Sequence, residues 1–496
     1  MKRAIYILLG VAIGIWTYLS PGTLVMILCG IITGSIICRN SLNKAEKKFL
    51  GWTFCLALFL SIILSSFNFY LAALLKNDSE LIGDGAAYSA HGAYIAEILN
   101  QADVETNYTD MIELTWCRGA YYGKLPDYAD YRIGFPSYLY GFIYTLLGYS
   151  PLMIKFLNAL VGIIGCFLIY FWMRDVCGEK QARIALVLTL FWPSRFIWAA
   201  SGLKEALTFF GFSLALFMFF RLQKNFSLFW TCVILFAVFI KYNFIYILSL
   251  LIILILLFKR KKIIGLLSSF IFMKLGYILV YGIRIHFIEP LMITLAISLC
   301  TFLSKRKLIA LTGCFIILAL FLFLRVDKNM LKEQYSIKTT QIIMRQKSQA
   351  MDYVRSRYDI YPERFRKVHI TELRKVSDGL VITPPELFVS YLIGLSYFFL
   401  SPFPWSIDSK MLALGYIQSI LVYLLLPFII IGIIIGLRDH WREVFVYILF
   451  IFVISSIYAL YLGNIGTIFR HRDLVMSFFI AFSGIGIVEV LKGRTV

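Results

Sequence analysis

One acidic residue, Asp84, lies nine positions after the end of the long apolar run 50–75, close to where the chain leaves the membrane and where an acid is costly. The segment 84–100 repeats apolar residues every three or four positions, which predicts a juxtamembrane helix with Asp84 at its N-terminal end. A helix N-terminus stabilises an anion. The position therefore favours an ionised carboxylate that can act as a base.

Basic residues lie close to the ends of other apolar runs. Lys204 and Glu205 occupy a short polar turn between two such runs, and Arg470 and Arg472 follow a glycine-rich turn before the last one. Snorkelling of long side chains at the interface explains any single cation, but it explains the clustered arginines less well. Cations stabilise a departing phosphate, and a carboxylate accepts the proton of an attacking hydroxyl. These residue types indicate chemistry on an anionic, lipid-linked substrate.

The composition places most of the chain in a membrane. The 496 residues are 60% hydrophobic, and the mean hydropathy is +0.81. The net charge of +20 comes largely from Lys and Arg clusters, such as 259–262 and 305–307, that recur in alternate loops. This is the positive-inside pattern, which argues against nucleic acid as the partner. It predicts that both termini are cytoplasmic and that the long loops 76–149 and 325–388 lie on the outer face.

The apolar runs predict an all-α polytopic membrane protein with about 12–14 transmembrane helices. Four regions follow: an N-terminal hairpin with a basic cytoplasmic loop (1–49), a transmembrane core that includes the first outer loop (50–324), a second outer region (325–410) and C-terminal transmembrane helices (411–496). The second outer region contains a basic amphipathic helix and an interfacial segment, 391–405. The predicted spans are 4–20, 22–38, 51–75, 150–173, 184–200, 206–222, 228–241, 243–258, 263–283, 288–303, 308–324, 411–436, 444–462 and 474–490.

Several motifs are similar to those of a known group of membrane enzymes. They are Asp84 with Tyr88 four residues later, the stretches 134–138, 147–152 and 157–160, and 192–194 followed by Lys204 and Glu205. Over about residues 50–225 the chain resembles the GT-C superfamily of polyprenyl-phosphate-sugar-dependent glycosyltransferases. Within it, the chain resembles family 39, the protein mannosyltransferases and lipid A aminoarabinose transferases. The C-terminal half agrees more loosely, through 401–405 and 463–472.

This resemblance implies a GT-C-type helical bundle with two large outer loops, and an inverting sugar transfer with Asp84 as the catalytic base. Many relatives carry Asp-Glu at this point, whereas here Gly85 follows, so a second carboxylate comes from Glu205 or Asp110 or is not needed. No second acid pair lies close in sequence to Asp84, so no cofactor is expected and a divalent metal is not favoured. The candidate substrate-binding residues are Tyr88, Arg132, Lys204, Glu205, Arg470 and Arg472.

The expected partners are a polyprenyl-phosphate sugar donor, a glycan, lipid or protein acceptor, and membrane lipids. The expected location is a bacterial plasma membrane, because the chain has no paired cysteines in its outer loops and no retention signal. Two alternatives remain among enzymes and transporters. A polysaccharide polymerase or ligase also uses outer loops and arginines. A lipid-linked oligosaccharide flippase needs charges inside spans, for which Lys155 and Lys274 are the candidates. A non-catalytic assembly partner is a third reading.

Overall fold

The computed structural model describes residues 21–74, 83–100, 135–224, 384–403, 410–461 and 465–493. Across those ranges the regular secondary structure consists of helices, without a strand. The prediction of an all-α protein is therefore confirmed for the described part of the chain. The helices are α1 (Pro21–Arg39), α2 (Lys44–Leu74), α3 (Gly83–Asn100), α4 (Phe135–Leu147), α5 (Pro151–Cys177), α6 (Glu179–Leu190), α7 (Pro193–Ala200), α8 (Lys204–Lys224), α9 (Pro384–Leu400), α10 (Lys410–Asp439), α11 (Trp441–Tyr461) and α12 (Ile465–Leu491).

Four of these helices are long and apolar enough to cross a membrane. The spans are Lys44–Tyr70 in α2, Pro151–Cys177 in α5, Gly415–Asp439 in α10 and Ile468–Leu491 in α12. The helices α6 and α7 make a fifth span if they are counted as one. These helices fit a membrane-embedded protein. The predicted spans 4–20 and 228–324, and most of both long loops, lie outside the described residues.

The span predicted over 184–200 is bent in the structure, because the chain breaks between α6 and α7 and the two helices meet at 49°; together they are apolar enough to make one broken span. Pro193 lies at the first turn of α7, and Trp192 before it is extended, with φ −66° and ψ 124°. A proline disfavours the helical conformation in the residue before it and supplies no N–H to the preceding turn. Because the apolar run 184–200 continues through Pro193, hydropathy alone does not reveal this break.

The chain divides into two compact units, of which the first comprises residues 1–172, 186–215 and 236–241. Its central helix is α5: 78% of the apolar window of this helix is buried within the protein, against 33% for α2. The exposed side of α2 carries large apolar residues such as Trp52, Phe59 and Phe67. In a membrane-embedded protein these side chains face lipid, whereas α5 forms the core of the unit.

The acid at the start of α2 has a structural role. The Asn43 side chain accepts the Glu46 N–H at 2.7 Å, and the Glu46 carboxylate accepts the Leu42 N–H, which satisfies backbone groups at the helix N-terminus. The Tyr170 hydroxyl of α5 donates to the same carboxylate at 2.6 Å. Glu46 is fully buried, and these hydrogen bonds anchor α2 to α5.

A close contact between two glycines positions the helix α3 against α4. A Cβ on Gly92 would lie 2.8 Å from the Tyr140 Cβ, and one on Gly141 would lie 2.6 Å from the Ile95 side chain. Neither position has room for a larger residue, so the two backbones can approach closely. The predicted helix over 84–100 is confirmed, with its N-terminal residue at Gly83.

The second unit contains α9 to α12, together with residues 173–185 and 216–235. Here α12 is the central helix, with 78% of its apolar window buried, against 28% for α10. α10 and α12 touch backbone to backbone, since a Cβ on Gly432 would lie 1.9 Å from the Phe482 carbonyl oxygen. The predicted interfacial segment 391–405 begins within α9, which packs on α11 where Gly394 meets Ala459.

Candidate functional site

The short turn between α7 and α8 organises the polar residues of the first unit. α7 ends at Ala200, and the Ser201 and Gly202 N–H groups donate back to the Trp198 and Ala199 carbonyls. Gly202 has φ +65°, a left-handed conformation that glycine adopts without strain. Lys204 is the first residue of α8, so the turn fixes the position of the Lys204 backbone.

Two side chains from other helices bind the carbonyl oxygen at the end of α7. Asn68 of α2 donates to the Ala200 oxygen at 2.6 Å, and Lys155 of α5 donates to it at 3.1 Å. Asn68 is buried and Lys155 is fully buried. The last carbonyls of a helix lack partners within the helix and carry its negative dipole end. A buried cation is therefore well placed there.

A second carbonyl of the turn is bound from α4. The Tyr140 hydroxyl donates to the Gly202 oxygen at 3.3 Å, and the Asn158 amide donates to the Tyr140 oxygen at 3.0 Å. Tyr140 and Asn158 are both fully buried. Three helices, α2, α4 and α5, thus hold the turn between α7 and α8.

Three of the candidate site residues lie together at this turn. The Lys204 ammonium nitrogen is 5.3 Å from the centroid of the Tyr88 ring, within the range of a cation–π interaction. Glu205 lies in the first turn of α8 and is 3% exposed. The first unit therefore combines a cation, an aromatic face and a buried acid.

Asp84 belongs to the same helix as Tyr88. It is the second residue of α3 and precedes Tyr88 by four positions, so the two residues share one face, about 6 Å apart along the helix axis. The backbone of α3 thus places Asp84 about one helical turn before Tyr88. The Asp84 side chain and the whole of Arg132 lie outside the described part of the chain.

The same helix carries a histidine that the sequence did not single out. His91 follows Tyr88 by three positions, and burial lowers the pKa of its imidazole below the ordinary value. Nearby on α3, the hydroxyls of Ser89 and Tyr144 are 2.8 Å apart and join α3 to α4. His91 is therefore a neutral, half-buried side chain at neutral pH.

The arginines of the second unit lie inside a helix. The sequence placed Arg470 and Arg472 before the last span, whereas α12 begins at Ile465 and the span includes both residues. Arg472 is fully buried, donates to the Ser401 carbonyl and lies 4.6 Å from the centroid of the Phe469 ring. Its Nε and Nη2 have no hydrogen-bond partner among the described residues. Arg470 is only half-buried.

The sequence did not predict that Asn68, Tyr140, Lys155 and Asn158 hold the turn. The sequence does show these four polar residues within apolar helices, a pattern that could have indicated buried hydrogen bonds. Lys155 is recognisable in the sequence as a charge inside a span, but its partner is 45 positions away along the chain. No periodicity in the sequence connects such a pair.

The arrangement in the first unit is suited to binding an anion beside an aromatic surface. Lys204 supplies a positive charge, and because this residue is half-buried, water screens the charge only partly. Among the described residues no group of three His, Cys, Asp or Glu side chains has the geometry to hold a metal ion.

The sequence matches no protein-family model and no curated protein at a significant level.

Proposed function

We propose that this chain is an integral membrane glycosyltransferase that moves a sugar from a polyprenyl-phosphate donor to a lipid-, glycan- or protein-linked acceptor. The observation that carries the proposal is the contact between Lys204 and Tyr88, four positions from Asp84 on α3. A cation for the phosphate, an aromatic face for the sugar and a carboxylate for the acceptor hydroxyl are the groups that such a transfer requires.

The transfer is an inverting substitution at the anomeric carbon of the sugar. The acceptor oxygen attacks this carbon while the Asp84 carboxylate takes the hydroxyl proton. The bond between the anomeric carbon and the phosphate oxygen breaks, and its electron pair leaves with the lipid phosphate. A phosphate is a stable leaving anion, so the step needs no general acid, unlike hydrolysis of a glycoside. Attack and departure on opposite faces invert the configuration.

Lys204 binds the phosphate of the donor in this proposal, and charge that develops on the leaving oxygen strengthens the interaction. Tyr88 positions Lys204 and contributes an aromatic surface for the sugar. Glu205 accepts hydrogen bonds from sugar hydroxyls. Arg132, Arg470 and Arg472 are further proposed ligands of the donor; the two Arg472 nitrogens without a described acceptor support an anion beside them.

The proposed location is the plasma membrane of a bacterium, with both termini in the cytoplasm and the site on the outer face. The distribution of Lys and Arg over the loops supports this orientation. The hydrogen bond from Lys155 to Ala200 gives this in-span charge a partner in the protein. It weakens the argument for a flippase, which relied on Lys155 as a transport residue.

A transfer assay on the purified full-length protein tests the proposal, with a panel of polyprenyl-phosphate sugars and an acceptor lipid extract. We expect one donor to release its sugar, and Asp84→Asn to slow the release by about 10²–10⁴-fold. Glu97→Gln, on the same helix, is the matched control and keeps wild-type activity. Wild-type transfer by Asp84→Asn would overturn the assignment of the base. If that variant is active and Arg470→Ala is not, a polymerase or ligase is favoured.

A further inference from the structure

We propose that Lys155 and Asn68 are positioning residues: by binding the Ala200 carbonyl together, they set where Lys204 and Glu205 lie. The kinetic part of this inference rests on the proposed function, whereas its structural part does not. Neither residue touches the proposed substrate. They act through the turn between α7 and α8.

The end of α7 depends on other helices for its position. α7 has eight residues, and helices shorter than about 12–15 residues are marginal on their own. The break at Pro193 also separates it from α6, from which it is bent by 49°. Contacts from outside must therefore fix its direction. Asn68 and Lys155 supply them from α2 and α5, two helices long enough to span a membrane.

The hydrogen bonds of the turn couple the position of Ala200, at the end of α7, to the position of the first residues of α8. Only Ser201, Gly202 and Leu203 separate Ala200 from Lys204, and Ser201 and Leu203 are buried. The Ser201 and Gly202 amides remain bonded to α7, and Tyr140 holds the Gly202 carbonyl from the other side. A displacement of Ala200 therefore moves Lys204 and Glu205 with it, away from Tyr88.

Lys155 has no exposed surface within an apolar span, where a charge needs a partner inside the protein. The Ala200 carbonyl is such a partner, and it lies at the end of α7 next to the turn. A lysine that only stabilises the fold would affect the amount of active protein. A positioning lysine affects the affinity of the site for the phosphate.

Hydrogen exchange on the full-length protein in lipid nanodiscs gives the structural test. The reporters are the hydrogen-bonded amides of Ser201 and Gly202. We expect Lys155→Met and Asn68→Leu to raise their exchange rates about tenfold, the effect of losing a hydrogen bond of about 1.4 kcal/mol. Lys155→Arg restores a donor and stays near the wild-type rate. Lys180→Met, an exposed lysine of α6, is the matched control. Unchanged exchange in both test variants would overturn the inference.

Donor kinetics give the second test. We expect the KM for the polyprenyl-phosphate sugar to rise about tenfold in Lys155→Met and Asn68→Leu, with little change in the KM for the acceptor. Lys155→Arg recovers most of the loss. A lower maximal rate with an unchanged donor KM would mean a purely structural role and would overturn the inference. If Lys155→Met does not fold, Asn68→Leu carries both tests. If the wild type transfers no sugar, the proposed function fails while the exchange result still decides the positioning role.

Discussion

The Lys204 ammonium nitrogen lies 5.3 Å from the centroid of the Tyr88 ring, which joins the start of α8 to the first half of α3. Tyr88 is 5% exposed, so the ring is largely withdrawn from solvent. Removal of water from an aromatic face strengthens its attraction for a cation. The contact therefore fixes the direction of a long, flexible side chain that would otherwise sample many rotamers.

Tyr88 variants separate the aromatic face from the hydroxyl. Tyr88→Phe keeps the ring under Lys204, and we expect a donor KM within twofold of wild type. Tyr88→Leu removes the ring, and we expect the donor KM to rise about fivefold, which corresponds to about 1 kcal/mol of lost cation–π energy. Steady-state kinetics with varied donor check both values. An equal loss in the two variants would assign the effect to the hydroxyl and not to the ring.

Hydropathy predicted the long spans, including those in α2, α5, α10 and α12. It could not predict the break before α7, because the apolar run continues through Pro193 and only local backbone sterics end the helix there. It could not place Arg472 inside α12 either. A buried guanidinium is tolerated in that helix because the Ser401 carbonyl and the Phe469 ring receive it. Phe469 lies one helical turn before Arg472, but Ser401 is 71 positions away along the chain, so no local pattern predicts that contact.

Acidification should loosen α3 through His91. Burial lowers the pKa of this imidazole in the folded protein, so the unfolded chain binds the proton more readily. The free energy of unfolding therefore keeps its full value above the unfolded pKa of about 6.5 and decreases as the pH falls below it. The midpoint of thermal unfolding in nanodiscs, measured at about pH 7.5 and at about pH 5.5, gives the difference in stability between the two pH values. His91→Gln should reduce it, and an unchanged difference in this variant would exclude His91 as the source.

The contact between α10 and α12 should be intolerant of side chains. Gly432→Ala puts a Cβ 1.9 Å from the Phe482 carbonyl oxygen, so the helices must separate. We expect a loss of about 1–3 kcal/mol in the free energy of unfolding, measured as a lower midpoint of thermal unfolding. Gly162→Ala in α5 is the matched control, because the nearest atom to its added Cβ is 3.9 Å away. It should be neutral or slightly stabilising. Equal midpoints for the two variants would contradict the close approach.

Arg472 offers a test of whether the second unit binds the donor phosphate. Arg472→Met removes the donor to the Ser401 carbonyl and the two nitrogens that have no acceptor among the described residues. We expect the donor KM to rise about tenfold in Arg472→Met, the effect of losing about 1.4 kcal/mol of a charged hydrogen bond. Arg472→Lys keeps the charge but not the planar fork, so its KM should be intermediate. Arg438→Met, at an exposed arginine of α10, is the control. A folded Arg472→Met protein with the wild-type donor KM would show that the buried arginine serves the fold alone.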